Sequence, residues 1–291
     1  MLVDTHTHSW GADTAELPWR HPDVTPPGWS GPYTHADLVA DMDRADVAEA
    51  VVVTTPLYGR GERANEYTKQ AIEAHPDRLY GVGLIDFFPD AERPDPAGQL
   101  ARVVDHDRML GVRLHAAFEY AAAPTTIDRS GTWFLDDSLT EFWETAGALD
   151  TAVFVFPKAQ QLRDVARLVQ RHPDVTFVID HMGWPDETTA PDAAPWTDFE
   201  ALADADNVAV KVSSVPRSSG TSWPYADLHD YLRRLLEWFG PERLMLGSDY
   251  PWMDEWADYE ACLSWLDAVD CLSWRDEAYL RYRTFHEIHR V

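Results

Sequence analysis

The chain has 291 residues, enough for one full hydrophobic core, and we read it as a single domain over 1–291. Its 24 Lys and Arg stand against 50 Asp and Glu, a formal net charge of −26 that repels phosphate backbones and anionic lipid. Nucleic acid and membrane partners are therefore excluded, and a small-molecule substrate is expected, with homo-oligomerisation left open. Only three bases are lysines (Lys69, Lys158, Lys211), while acids crowd stretches such as Asp41-Met-Asp43 and Asp204-Ala-Asp206. That balance suggests a halophilic, salt-adapted surface that stays soluble when its charges are screened.

The N-terminus enters an apolar stretch at once, with no basic region before an apolar core, and no apolar run reaches the ~18 residues of a bilayer span. A cytoplasmic location is expected. Cys262 and Cys271 are nine residues apart in the last helical region, about two and a half turns on one helix, too far for a disulfide. Both read as reduced core residues.

Taken in order, Val- and Ile-rich runs alternate with amphipathic stretches, the rhythm of a parallel α/β sheet. The strands are expected at Leu2–His6, Ala50–Thr55, Leu79–Ile85, Leu110–His115, Ala152–Phe156, Val175–His181, Val208–Ser213 and Arg243–Ser248. Eight is the number that closes a (β/α)8 (TIM) barrel. Thr34-His-Ala-Asp37 reads as a capping start for a helix through Ala45, and Pro76 closes one that begins near Glu62. Further helices fall at Pro96–His106, Asp137–Leu149, Gln160–His172, Trp196–Ala205 and Tyr225–Phe239, and a longer region, Tyr259–Arg290, breaks near Cys271.

The connections are lopsided. Those from strand to helix are long: Ser9–Tyr33, Ala116–Leu135, Met182–Pro195 and Ser214–Pro224. In such a barrel these loops share the C-terminal face, where active sites form. They carry or adjoin Trp10, Trp19, Trp29, Phe118, Trp184, Trp223 and Trp252, which suggests a pocket with aromatic walls, although Trp and Pro equally make a rigid loop that touches no ligand.

Strand after strand stops on a chemically useful group: His6 and His8, Arg113 and His115, His181, Lys211 and Ser213, then Asp249. A His-x-His pair by itself is often only a solvated strand edge. The set is more specific, since buried and unpaired such groups would cost several kcal/mol. The two-residue period of a strand turns Asp4, His6 and His8 to one side, where two imidazoles can hold one ion or one carbonyl oxygen. The same alternation turns Asp180 away from His181. Arg113 suits either a substrate carboxylate or a buried ion pair. His115 and Lys211 read as partners for acids in the barrel mouth, and the His286-Glu-Ile-His289 spacing reads as a polar helix end.

The motifs Asp4-Thr-His-Thr-His8, Gly111-Val-Arg-Leu114, Asp180-His-Met-Gly-Trp-Pro185, Val210-Lys-Val-Ser-Ser214 and Arg243-Leu-Met-Leu-Gly-Ser-Asp-Tyr-Pro251 resemble, in order and nearly end to end, the amidohydrolase-related group of the amidohydrolase superfamily. The segment Gln161–Asp174, leading into Asp180-His181, is most similar to that of the lactonase branch, which acts on sugar lactones and 2-pyrone-4,6-dicarboxylate. The resemblance implies that His6, His8 and Asp249 form a metal site for a divalent ion, zinc or manganese, and that His181 lies over the reacting carbon. Arg113 and His115, with Trp184 and Trp252 from the loops, are expected to contact the substrate. The decarboxylase branch carries a further metal-binding His at the end of strand five, where this chain has Ala152-Val-Phe-Val-Phe156.

Two mechanisms fit. Either a metal polarises the carbonyl of a cyclic ester, or His6, His8 and His181 hydrogen-bond to its oxygen without metal. In both, Asp249 activates water. The alternatives are a metal-dependent decarboxylase of an unsaturated or aromatic acid, and a barrel that binds a small molecule without turning it over. The acidic composition carries its own test: stability against urea should rise between low and molar salt, and a flat or falling series would remove the salt-adapted reading.

Overall fold

The computed structural model describes residues 1–59, 61–87, 95–116, 132–185 and 190–291. Eight parallel strands pair in sequence order: β1 (Val3–Thr7), β2 (Glu49–Val53), β3 (Leu79–Gly83), β4 (Met109–Leu114), β5 (Ala152–Val155), β6 (Thr176–Ile179), β7 (Val208–Val212) and β8 (Leu244–Leu246). Around and after them run α1 (His35–Arg44), α2 (Glu66–Ala74), α3 (Pro96–Val104), α4 (Thr140–Ala148), α5 (Leu162–Arg171), α6 (Glu200–Ala203), α7 (Val215–Ser218), α8 (His229–Phe239), α9 (Ala261–Ser264), α10 (Trp274–Ala278) and α11 (Thr284–His289). This is the (β/α)8 barrel that the alternating pattern predicts. Thr34 caps α1 as expected, its side chain accepting from Asp37 N while the Asp37 carboxylate accepts from Thr34 N at 2.9 Å.

Strand alternation separates two apolar layers. Val51, Val53, Phe154, Val178, Ala209 and Met245 fill the barrel interior, and Phe285 of α11 closes its floor. Their neighbours Val52, Val153, Ile179, Val208 and Val210 face the helices. The histidines of α11 belong to the floor rather than to the mouth: His289 stacks on Phe154 with centroids 5.8 Å apart, and His286 Nε2 meets Glu49 at 2.7 Å.

Several boundaries differ from the sequence reading. The segment Gly61–Asn65 is a 3-10 turn, so the second helix starts at Glu66. The Trp196–Ala205 stretch is a 3-10 turn followed by the short α6. The C-terminal region does break where expected, between Ala268 and Trp274, and that break corrects the reading of its cysteines: Cys262 is buried, but Cys271 lies in the turn and is exposed. Phe118 and most of Ala116–Leu135 lie outside the described residues. No helix among the described residues is long and apolar enough to cross a membrane.

The barrel closes between β1 and β8 with little ladder pairing. Thr7 bridges Tyr250, Asp249 N donates to His6 O at 2.7 Å and His8 N to Tyr250 O at 2.8 Å. Side chains supply the rest. Thr5 Oγ1 donates to Leu246 O at 2.8 Å and Thr7 Oγ1 to Tyr250 O at 2.9 Å, while Asp4 accepts from Ser248 N at 2.9 Å and Ser248 Oγ at 2.6 Å. Asp4 also accepts from His6 N at 3.1 Å. Between Asp4 and Thr7 the β1 register slips, three steps on β1 against two on β2. The bulge reverses the facing. Asp4 turns outward, within electrostatic reach of Tyr259 and Cys262, and only His6 and His8 turn into the mouth. The expected common face for all three is thereby corrected.

A similar irregularity on β4 precedes Arg113. There Gly111 has φ +150°, and a Cβ on it would sit 1.8 Å from Ala152 O. Backbone cannot yield to that contact. Gly111→Ala should therefore cost roughly 3–5 kcal/mol or prevent folding, measured as the urea midpoint, and a loss under ~1 kcal/mol would contradict this account of the turn.

Candidate active site

Each group at the mouth is delivered by a local departure from strand geometry. His6 and His8 follow the β1 bulge, with ring centroids 5.2 Å apart. Asp249 follows β8 with φ 63°, and its Oδ1 lies 3.2 Å from His8 Nε2 and 3.6 Å from His6 Nε2. Its other oxygen, Oδ2, accepts from Ser214 Oγ at 2.7 Å. Gly247 leaves room for this approach, because a Cβ there would come within 2.9 Å of His6 Cβ.

Strand six ends earlier than the sequence suggests, at Ile179, and His181 and Met182 take left-handed conformations with φ 55° and 54°. Strand parity therefore sends Asp180 inward with Val178, and the left-handed turn brings His181 back to the same place. The expectation that Asp180 faces away is overturned, since alternation does not extend past the strand. Asp180 Oδ2 accepts from Arg113 Nε at 2.7 Å, and Oδ1 lies 3.3 Å from His6 Nδ1 and 3.7 Å from Lys211 Nζ. Of the two roles considered for Arg113, this is the ion pair. Its Nη2 also donates to His181 Nε2 at 3.0 Å, which leaves Nδ1–H of His181 to donate to Ser213 Oγ at 2.9 Å.

The electrostatics follow from burial. Desolvation pushes His181 down to about 3 and holds His6 and His115 well below the usual imidazole range, so all three rings are neutral near pH 7. Burial also lowers Lys211 to about 8, against the pull of Asp180. For Asp249 burial pushes up, and the positive groups facing it, Arg217 among them, outweigh that and hold the carboxyl well below its usual value. Arg217 keeps its charge near pH 7, whereas the His6 and His181 rings are neutral.

Above these groups opens a cavity of about 320 Å³ lined by His8, Arg113, His115, His181, Asp249 and, from the loops, Thr54, Trp184, Arg217 and Trp252. Its walls are aromatic, as expected: Phe156 stacks on Trp184 at 4.8 Å, and Trp252 sits edge-on to His8 at 6.3 Å. Phe156 occupies the end of strand five, where no imidazole was expected. Trp10 is buried in the core and bonded to Gly31 O, Trp29 bonds Asp254, and Trp223 is exposed, so these serve loop packing or none.

Arg217 was missed. It lies over Trp184 at 4.6 Å, and its Nε and Nη2 are buried with no hydrogen-bond partner among the described residues. The only signal in the sequence was an arginine in the loop Ser214-Val-Pro-Arg217, one of many loop arginines.

The histidine partners leave a cluster of acceptors. His8 Nδ1 donates to Val53 O at 2.7 Å, so its Nε2 carries the lone pair that faces Asp249. His6 Nδ1 is nearer to Asp180 Oδ1, at 3.3 Å, than to Lys211 Nζ, at 3.5 Å, and its buried Nε2 has no hydrogen-bond partner. Two imidazole lone pairs and a carboxylate that face one another repel unless a cation or proton lies between. A donor set of this kind suits a divalent transition ion, and the outer hydrogen bonds to a carboxylate and a carbonyl are those that orient metal-ligating histidines. Among the described residues the three groups whose ligand atoms all lie within 4.8 Å of one another are His6, His181 and Asp249. His181, however, already has both ring nitrogens engaged, so His6, His8 and Asp249 fit an ion better.

The chain resembles known proteins over most of its length. The family model described as amidohydrolase matches residues 3–271. The chain is 31% identical over 285 residues to a 2-pyrone-4,6-dicarboxylate hydrolase of Comamonas testosteroni, covering 86% of this chain and 76% of that protein. It is 24% identical over 253 residues to the L-fucono-1,5-lactonase of Burkholderia ambifaria, covering 86% and 80%. Among solved structures, an amidohydrolase from Burkholderia multivorans with bound zinc superposes with a TM-score of 0.78 at 22% identity, covering 100% of this chain and 99% of that one.

Proposed function

The chain belongs to the amidohydrolase family, and we propose that it is an enzyme that hydrolyses a small lactone carrying a carboxylate. The observation that carries this reading is the convergence of Asp249 with two imidazole lone pairs at the base of a cavity whose wall holds a guanidinium with Nε and Nη2 unbonded among the described residues. The lactone-hydrolysing relatives support the reaction class. Phe156 at the end of strand five favours it over decarboxylation, since that branch places a ligand there.

His6, His8 and Asp249 would hold a divalent ion, zinc by its preference for nitrogen and carboxylate donors. When bound, the ion supplies Lewis acidity toward the lactone carbonyl and acidifies water. The chain's own groups do the rest. Asp249 is ionised at rest, so it can take a proton from the attacking water at Oδ2, the oxygen turned toward His181 and Ser214. It returns that proton to the ring oxygen as the carbon–oxygen bond breaks, and one water becomes the added elements of a hydroxy acid. Such a depressed carboxylate is a weak base, which matches an activated ester better than an amide. His181, neutral and held by Arg113, walls the reacting carbon without adding charge.

Arg217 gives the substrate its class. A buried guanidinium over an aromatic ring, with two nitrogens unsatisfied, is a site for a planar anion. Arg113 also lines the cavity, but its Nε is held by Asp180 and its Nη2 by His181, which leaves Arg217 with more free donors.

A panel of neutral and carboxylated lactones, assayed before and after chelation, tests the proposal. Carboxylated lactones should turn over faster. Asp249→Asn should lower kcat by about 10²–10⁴-fold at an unchanged melting temperature, and unimpaired turnover would remove Asp249 as the base. Arg217→Gln should raise KM about 10- to 100-fold for carboxylated lactones and little for neutral ones, and an equal effect on both would return the arginine to a packing role. Carbon dioxide release from unsaturated acids, with no lactone opened, would replace the proposal by the decarboxylase reading.

A further inference from the structure

Behind the site lie two charged side chains that the reaction does not use. Asp180 and Lys211 are fully buried and absent from the cavity wall. Lys211 Nζ sits 4.5 Å over the Phe154 ring inside the barrel, with Asp180 as its nearest carboxylate. Two buried cations on one carboxylate are more than neutrality requires. Their arrangement around Asp180 has a direction, however. Asp180 Oδ1 faces His6 Nδ1, and Oδ2 takes Arg113 Nε, whose Nη2 goes on to His181 Nε2.

We infer that Asp180 is a positioning residue that sets the tautomers of two site imidazoles, His6 directly and His181 through Arg113. A neutral imidazole carries one proton. With that proton on Nε2, His6 would turn a lone pair toward the Asp180 carboxylate 3.3 Å away. With it on Nδ1 the pair attracts, and Nε2 is free to face Asp249. Lys211 competes for Nδ1 from 3.5 Å but has Asp180 itself as an alternative acceptor, its Nζ lying 3.7 Å from Asp180 Oδ1. On the second branch, Arg113 can only donate, so His181 must accept at Nε2 and keep its proton on Nδ1 toward Ser213. His8 is independent, because its Nδ1–H is fixed by Val53 O.

The inference rests on the proposed site but not on the proposed reaction, and its primary measurement needs neither metal nor substrate. In full-length protein labelled with ¹⁵N in the histidine rings and stripped with EDTA, with resonances assigned from single His→Gln variants, His6 and His181 should each show a protonated Nδ1 and an unprotonated Nε2. Asp180→Asn presents an amide that can donate to His6 Nδ1, so the His6 proton should move to Nε2 while the His8 pattern stays unchanged. Zinc binding to the same variant, followed calorimetrically, should weaken by about 10- to 100-fold. A wild-type His6 protonated at Nε2 overturns the inference even if the variant fails to fold, as does an unchanged pattern in a folded Asp180→Asn. Lys211→Met, which removes the competitor and keeps the carboxylate, should retain the wild-type His6 pattern, and a proton moved to Nε2 there would assign the control to the lysine. Failure of wild-type protein to bind zinc counts against the metal reading alone, and failure to open lactones counts against the reaction alone.

Discussion

The structure depends on one buried carboxylate at its seam. First and last strands must meet to complete the cylinder, yet they exchange few ladder bonds, and Asp4 joins them by accepting from Ser248 twice and from His6 once. Full burial pushes its carboxyl up, against three bonds that favour the anion. That cost is offset because unpaired amides at a closing seam would each cost about 1–3 kcal/mol. The same contacts draw His6 N out of the regular ladder and place the bulge at the point where the chain must turn from an outward acid to an inward imidazole. Joining the two strands and aiming the histidines are thus one event.

From this seam the site is built in layers. Asp249 N bonded to His6 O holds the carboxylate and the imidazole pair at fixed separation. Asp180, Arg113 and Lys211 form a charged layer behind them, and the loop residues Trp184, Arg217 and Trp252 form the wall in front. In the proposed function chemistry sits on strand ends, which are rigid, while selectivity sits on loops, which can vary without disturbing the barrel.

The fold was legible because a parallel barrel writes itself as eight apolar runs with long loops at one end, and the polar groups His6, His8, His181 and Asp249 stood out where those runs stop. Errors arose where the chain leaves regular geometry. Alternation predicted Asp4 beside His6 and Asp180 opposite His181, and both failed at a slip or a left-handed residue, neither of which has a period to read. Arg217 could not be singled out, because only the fold shows that this arginine lines the cavity with Nε and Nη2 buried and without a hydrogen-bond partner among the described residues. Cys271 was misplaced because a helix break moves a residue from core to surface without changing its neighbours in sequence.

The charged layer behind the site has a consequence for the molecule as a whole. Among the described residues the fully enclosed charges are Asp4, Asp180 and Asp249 against Arg113 and Lys211, a formal sum of −1, so −25 of the total −26 belongs to other residues. On the proposed function, a negatively charged substrate would be repelled at long range and met at the cavity by the guanidiniums of Arg113 and Arg217. Added salt shortens the reach of that repulsion to a few ångströms and would speed the approach of such a substrate.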